Sequence, residues 1–369
     1  MGTSQRFTPM PGTNHLSTLR NHLHNRFIRG TLLILFTNID DSRLYSTRQP
    51  KIYAILCAMA DTYIVADIGG TQIRAALFPS YQTTPVKIVR TSTQGDGQEP
   101  LERLLNLIAS IWPVSDRVVA IAVAAPGPSD PYEGIVFEAP NIPGWTNVPL
   151  KKHLQERFQT PATIGNDANL AAMGEWRYGA GKGHNHLLYV TVSTGIGGGV
   201  ISDGKLLLGV RGLAGELGHI TVDPNGPMCG CGKRGHLEAI ASGPAISRWV
   251  ADEISRGVPS ILSSRVNFSA KDVAWAANEN DLLAKTALER AGTYLGIAFA
   301  DFLHIFNPSA IIIGGGVSRS GSHLLVPLRN ALREHVISEA YLEDLVITTA
   351  ALGDEVGLMG ALALAQTLA

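Results

Sequence analysis

Cysteine is nearly absent: the 369-residue chain carries three, Cys57, Cys229 and Cys231. Three thiols cannot build a disulfide framework, so a reducing cytoplasm is the expected compartment. An excess of either charge is also missing, with 30 Lys and Arg against 31 Asp and Glu. That balance offers no electrostatic reason for nucleic acid or a membrane as partner. Long apolar runs are lacking too. The longest candidates, Thr31–Phe36 and Ile52–Ala60, fall short of the roughly 18 residues a membrane span needs. The second closes on a cleavage-like Ala-Met-Ala, but the region before it is too long for a secretory signal.

The familiar phosphate and hydrolase motifs do not occur. "GVISDGKL" (Gly199–Leu206) comes near a Walker A loop, yet Leu206 stands where a hydroxyl should reach Mg²⁺. Its Asp203-Gly204 pair marks a hairpin turn instead. No G-x-G-x-x-G follows an expected strand, which argues against a dinucleotide fold. G-x-S-x-G and H-E-x-x-H are absent as well.

What is present is an ordinary globular composition, 45% hydrophobic and 17% charged, in a length that suits two domains each with its own core. Residues 1–58 differ from the rest, with seven basic residues against two acidic ones. They show no helical or strand period. A targeting segment, a disordered arm and translation from upstream of the real start compete; the last is favoured, because "MADTYIVADIGGT" from Met59 opens directly onto a strand. A DNA-reading helix-turn-helix would need paired amphipathic helices, and none is visible there.

From Asp61 the pattern is βαβ-like. "TYIVADIGG" (Thr62–Gly70) reads as a buried strand ending in a glycine turn, with "IRAALF" (Ile73–Phe78) returning as its hairpin partner. Helical spacing runs through Glu99–Trp112 and Val148–Phe158, and "RVVAIAVAAPG" (Arg117–Gly127) is a strand covered on both faces. "HLLYVTVSTGIGGGVIS" (His186–Ser202) repeats the strand, glycine turn and strand, which suggests a duplicated architecture with a cleft between halves. "SAIIIGGGVS" (Ser309–Ser318) is a third such unit. Glycines let backbone N–H groups approach phosphate oxygens, so three of these turns point to a nucleotide; each alone is equally well a tight turn.

Candidate chemistry gathers between the turns. In "IGNDANLAA", Asn166 and Asp167 stand before a helix and read either as an N-cap or as a cleft carboxylate that accepts a hydroxyl proton. Glu216, His219 and Glu238 lie in Gly-rich loops suited to a many-hydroxyl ligand, or to plain solvation. His219, Cys229, Cys231 and His236 form H-x₉-C-x-C-x₄-H, a candidate N₂S₂ zinc set; the alternative is a pair of thiols in a Gly-rich loop.

Six motifs in order then carry a resemblance: "DIGGT" (Asp67–Thr71), "PNIPGW" (Pro140–Trp145), "NDAN" (Asn166–Asn169), "STGIGGG" (Ser193–Gly199), "GELGH" (Gly215–His219) and "CGCGKRGHLE" (Cys229–Glu238). From about Asp61 to the C-terminus the chain resembles the ROK family of bacterial sugar kinases and repressors, its glucokinases above all. The resemblance implies an α/β, actin/hexokinase-like (ribonuclease H-like) duplicated two-domain fold around a central cleft. A small domain would span 61–165 and a large one, with a zinc loop, 166–354; a C-terminal helix at about 355–369 would pack back on the first.

It also implies ATP with Mg²⁺, held by Asp67, Gly69, Gly70, Thr71, Thr194 and Gly195 at the phosphates, with Gly314 and Gly315 near the adenosine. A hexose would be held by Asn141, Asn166, Asp167, Glu216, His219 and Glu238, with Asp167 as catalytic base. Structural Zn²⁺ on His219, Cys229, Cys231 and His236 would hold the loop. One departure stands out: the family pattern is C-x-C-G-x-x-G-C-x-E, and His236 occupies the place of the third cysteine. The implied reaction is phosphorylation of glucose at the 6-hydroxyl, a step of glycolysis, by a dimer or tetramer. Other hexoses (N-acetylmannosamine, fructose, allose, N-acetylglucosamine), a polyphosphate donor, or a sugar-sensing transcriptional regulator are the alternatives.

Overall fold

Period-two alternation decides where each strand points. In the computed structural model, which describes residues 60–95 and 97–368, strand β1 (Asp61–Ile68) sends Tyr63 and Val65 to one face and Ile64, Ala66 and Ile68 to the other. Both faces are buried, which is why the run is almost wholly apolar. The expectations for residues 1–58 lie outside the described residues.

The first sheet also takes β2 (Gln72–Pro79), β3 (Lys87–Ser92), β4 (Arg117–Ala125) and, after a small three-stranded sheet that intervenes in sequence, a fifth strand paired with β4. Helix α1 (Pro100–Ser110) separates β3 from β4. The small sheet is β5 (Ser129–Asp130), β6 (Ile135–Glu138) and β7 (Thr146–Val148). Helix α2 (Leu150–Phe158) then leads to the fifth strand, β8 (Ala162–Asn166), and β8 runs straight into α3 (Asp167–Tyr178).

The second sheet uses β9 (Leu187–Val192), β10 (Ile196–Ser202) and β11 (Lys205–Leu206), then, after α4 (Leu237–Ala241), α5 (Gly243–Ser255), α6 (Ala270–Asn278) and α7 (Leu282–Phe306), it adds β12 (Ala310–Gly314). Helix α8 (Ser322–His335) precedes β13 (Val346–Thr349), and α9 (Val356–Ala365) closes the fold. The expected turn at Asp203-Gly204 joins β10 to β11, with positive φ at both residues.

The strand orders are β3-β2-β1-β4-β8 and β11-β10-β9-β12-β13. In each, two antiparallel hairpins are followed by two parallel additions on the other side. The two sheets therefore share one topology, which is the duplication expected from the repeated strand-glycine-strand units.

Between the sheets lie α3 and α9. One buried cluster joins Val65 and Ala122 of the first sheet, Leu170 and Met173 of α3, Leu358 and Leu362 of α9, and Tyr189 and Ile312 of the second sheet. Helix α9 is apolar on all sides because it is surrounded on all sides. The two helices touch backbone to backbone: a Cβ on Gly360 would lie 1.9 Å from the Leu170 carbonyl oxygen. Separate cores fill the outer faces, α1 and α2 over the first sheet and α4 to α8 over the second.

Candidate active site

Strand register brings the motifs to corresponding sheet ends. Asp67 pairs with Ala124, and Ala125 with Asn166, so Asp67 and Asn166 flank β4 at its C-terminal edge. In the second sheet Gly314 pairs with Thr191, which sets the turn after β9 beside the end of β12. Ligands of open α/β sheets gather at such carboxyl ends.

At the first edge the chain turns through Gly69, Gly70 and Thr71, closed by the Gly69 N–H on the Gln72 carbonyl at 2.8 Å. The exposed Asn141 packs on Gly70. Asn166 caps α3: its Oδ1 accepts from Ala168 N and Asn169 N at 3.0 Å each, and its Nδ2 donates to the Gly127 carbonyl at 3.0 Å. The N-cap reading holds for Asn166, and one amide N–H is left for a ligand.

Asp167, the first residue of α3, accepts the Ala168 N–H at 2.8 Å. A free carboxylate near 4 is the ordinary case; burial pushes Asp167 up to about 6, and the negative charges of Asp67 and Glu216 add to the rise. Burial likewise raises Glu216, helped by Glu238 and opposed by His219. Both side chains reach solvent-accessible surface while protein encloses them, as in an open cleft. Enclosure rather than accessible area governs the shift here, because it limits how water solvates the charge.

A short 3₁₀ turn, Leu217–His219, follows Glu216. Gly218 lies so near β10 that a Cβ would be 2.0 Å from the Ile196 carbonyl oxygen, which sets His219 beside the β9–β10 turn. The chain then forms a narrow ribbon: Val222 N–H bonds the Gly235 carbonyl at 2.9 Å and Leu237 N–H the Ile220 carbonyl at 3.0 Å. Cys229 and Cys231 sit in its tip, and His236 precedes α4.

The ribbon brings four ligand atoms of His219, Cys229, Cys231 and His236 within 4.8 Å of one another. The two histidine Nδ1 atoms are 3.3 Å apart, Cys229 Sγ lies 3.8 Å from His219 Nδ1, and Cys231 Sγ lies 3.3 Å from His236 Nδ1. Zinc bond lengths in a tetrahedron require edges of about 3.3 Å for N–N and about 3.6 Å for N–S. The donor set fits that ion. His219 keeps Nε2 turned toward Glu216, 4.0 Å from its carboxylate. Burial pushes the Cys229 thiol up to about 11, so a cation taking it as thiolate must displace a proton.

Glu238, on α4, accepts the Ile196 N–H at 2.9 Å through Oε2 and the Cys229 thiol at 3.4 Å through Oε1. Thr194 and Gly195 occupy the adjoining turn; a Cβ on Gly195 would meet Glu238 Oε2 at 2.5 Å. Gly314 faces the Tyr189 hydroxyl, where a Cβ would stand 2.3 Å away, so packing alone demands this glycine.

A profile of the ROK family matches residues 63–368. The chain belongs to the ROK family. It is 37% identical over 304 residues to a glucokinase of Thermotoga maritima, covering 81% of this chain and 95% of that one. It is 38% identical over 224 residues to a xylose repressor of Bacillus subtilis, covering 61% of this chain and 54% of the repressor. Among solved structures, a ROK family glucokinase from Streptomyces griseus in complex with glucose and AMPPNP superposes with TM-score 0.68 at 34% identity, over 83% of this chain and 99% of that one. A ROK family transcriptional regulator, a homologue of the E. coli MLC protein, superposes with TM-score 0.76 at 29% identity, over 84% and 78%. The fold is thus the actin/hexokinase-like one of ROK hexokinases.

Two polar residues beside this ROK site escaped the sequence reading. Arg74 bonds Asp67 through Nη2 and the Asp354 carbonyl through Nη1. Glu175 is wholly buried within α3. The one available signal for Glu175 was an acid inside a helix otherwise rich in small and apolar residues.

Proposed function

We infer that this chain transfers the terminal phosphoryl group of ATP to the 6-hydroxyl of glucose, giving glucose 6-phosphate. The carrying observation is the Asp167 carboxylate at the start of α3, open to the cleft and raised by burial, with the charges of Asp67 and Glu216 near enough to add to the rise. Similarity to glucokinases over nearly their whole length supports the reading; the repressor match spans about half of the repressor.

Asn141, Asn166, Glu216, His219 and Glu238 would hold the sugar hydroxyls, leaving the 6-hydroxyl at Asp167. Asp167 accepts its proton late, as bond-breaking to the leaving phosphate advances through a loose transition state. Raised toward 6, this carboxylate is a better proton acceptor than a free one. The turns at Gly69–Thr71 and Thr194–Gly195 would present N–H groups to the phosphates, with Gly314 and Gly315 at the adenosine. Mg²⁺, entering with ATP, would neutralise phosphate charge, and Asp67 would be the carboxylate to hold it. Positioning and electrostatics would supply most of the rate, once closure of the cleft excludes water.

Zinc on His219, Cys229, Cys231 and His236 would be structural. It would stiffen the ribbon that carries His219 and Glu238, and His219 would bind metal through Nδ1 while offering Nε2 to the sugar. Among the described residues no helix is long and apolar enough to cross a membrane, in keeping with a cytoplasmic enzyme. A homodimer or tetramer belongs to the same reading, and light scattering tests it.

The second reading is a sugar-sensing regulator, favoured by the superposition on the MLC homologue. One panel separates the two: glucose, N-acetylmannosamine, fructose, allose and N-acetylglucosamine, each against ATP and polyphosphate. ATP consumption with glucose foremost is expected. No turnover with any pair, together with retarded DNA in a gel shift, would favour the regulator.

A further inference from the structure

Glu175 is 0% exposed, yet its carboxylate has three backbone donors: Ala180 N at 2.8 Å and Ala351 N at 3.1 Å on Oε2, and Leu352 N at 2.8 Å on Oε1. Burying a carboxylate is costly unless such bonds replace its water, and bonds to a charged acceptor are the strong ones. The partners lie in two segments with one thing in common. Residues 179–181 leave α3 on the way to the second sheet, and residues 350–355 leave β13 on the way back to α9. One carboxylate therefore fastens both passages between the sheets.

The second segment continues to the reaction centre. The Asp354 carbonyl accepts from Arg74 Nη1 at 2.6 Å, and Arg74 Nη2 donates to Asp67. Gly357, at the start of α9, presses on the same side chain: a Cβ there would lie 2.5 Å from Asp67 Oδ2. Toward its own N-terminus, Glu175 sits on the helix that begins with Asp167, about 12 Å along the axis. Two rigid arms thus leave one buried carboxylate. One runs along α3 to Asp167; the other runs through the 351–354 loop and Arg74 to Asp67.

We propose that Glu175 and Arg74 are positioning residues that set the spacing between Asp67 and Asp167. Neither hydrogen-bonds Asn141, Glu216, His219 or Glu238, so most of the proposed sugar contacts stay in place and their loss falls on turnover more than on sugar affinity. The inference rests on the reading of Asp67 and Asp167 as the phosphate and proton-accepting ends of the site.

The experiment uses the full chain with Glu175→Gln, Arg74→Gln, the double variant and Asp167→Asn. A glutamine at 175 keeps the shape but replaces one acceptor oxygen with a donor. Each single positioning variant is expected to lower kcat by about tenfold or more, with glucose KM within about threefold of wild type. The double variant should be no slower than the slower single, because the two act in series. Arg74→Gln with wild-type kcat, or a double whose loss is the product of the singles, would overturn the proposal. Should Glu175→Gln not fold, amide exchange in Arg74→Gln decides. Retained protection at Ala351 and Leu352 alongside the kcat loss supports the series, and lost protection overturns it. Asp167→Asn separates the two failures: if it turns over normally, the site reading falls; if it is inactive while both positioning variants match wild type, only this inference falls.

Discussion

Glu238 accepts the Ile196 N–H at 2.9 Å and the Cys229 thiol at 3.4 Å, so a single carboxylate ties the cysteine ribbon to the turn between β9 and β10. The ribbon is flanked by two of the residues proposed for the sugar, His219 and Glu238, and the turn bears two of those proposed for the phosphates, Thr194 and Gly195. Disturbance of the ribbon should therefore be felt at both substrates.

Zinc would take Cys229 as thiolate, so the thiol donor to Glu238 would give way to the metal, which would then hold the ribbon through His219, Cys229, Cys231 and His236. Metal removal tests that hold. Stripping the protein with a chelator is expected to raise KM for glucose about tenfold and KM for ATP by a smaller factor. His236→Cys should retain one zinc per chain by elemental analysis and near-normal activity, since thiolate and imidazole both serve in a tetrahedral site. His236→Ala should lose the metal. Wild-type protein without zinc would end the structural-metal reading and leave the kinase reading on Asp167 and the glycine turns.

The pH profile follows from Asp167. Its carboxyl is raised to about 6, and the base must be ionised, so kcat/KM should fall about tenfold per pH unit below about pH 6. Glu216 contributes to the rise. Glu216→Gln should therefore move the acid limb to lower pH, besides weakening sugar binding. A limb that stays put would show that Glu216 does not act on Asp167 electrostatically.

Stability carries the opposite sign. The Asp167 value in the fold exceeds the unfolded 3.8, so protonation favours the folded state. That contribution is complete below about pH 3.8 and is lost as pH rises through about 6. Asp167→Asn imitates the protonated form. At pH 8 its melting temperature should equal or exceed that of wild type, while kcat falls by about 10²- to 10⁴-fold. A variant that melts well below wild type would point to a structural role for the charge.

Close packing between α3 and α9 makes Gly360 sensitive. Gly360→Ala would drive a methyl to 1.9 Å from the Leu170 carbonyl oxygen, so the helices must separate. A loss of about 1–3 kcal/mol is expected in denaturant unfolding. Gly316→Ala is the control: a Cβ there meets nothing within 4 Å, and stability should change by no more than about 0.5 kcal/mol. Equal losses at the two positions would contradict the packing account.

Much of the architecture was legible in local pattern. Buried strands such as β1 and β4 announce themselves as apolar runs, and the Asp203-Gly204 turn by its residue pair. The four metal-ligand candidates could be named from spacing, because a short ribbon has few ways to bring His219, Cys229, Cys231 and His236 together. Glycine was ambiguous. Phosphate approach and close packing both require a missing Cβ, and sequence alone does not distinguish Gly314 against the Tyr189 hydroxyl from a glycine that faces a ligand.

By itself, then, the sequence determined the strands, the repeated hairpin unit, the order of the motifs and the chemistry available at each. Those follow from neighbours a few residues apart. Tertiary structure alone decided the elevation of Asp167 by burial, with Asp67 and Glu216 adding to it, and the anchoring of Glu175 by Ala351 and Leu352 at 176 and 177 residues' distance. Charge coupling and buried hydrogen bonds depend on separation in space, and the chain sets that separation only once both sheets have closed on α3 and α9.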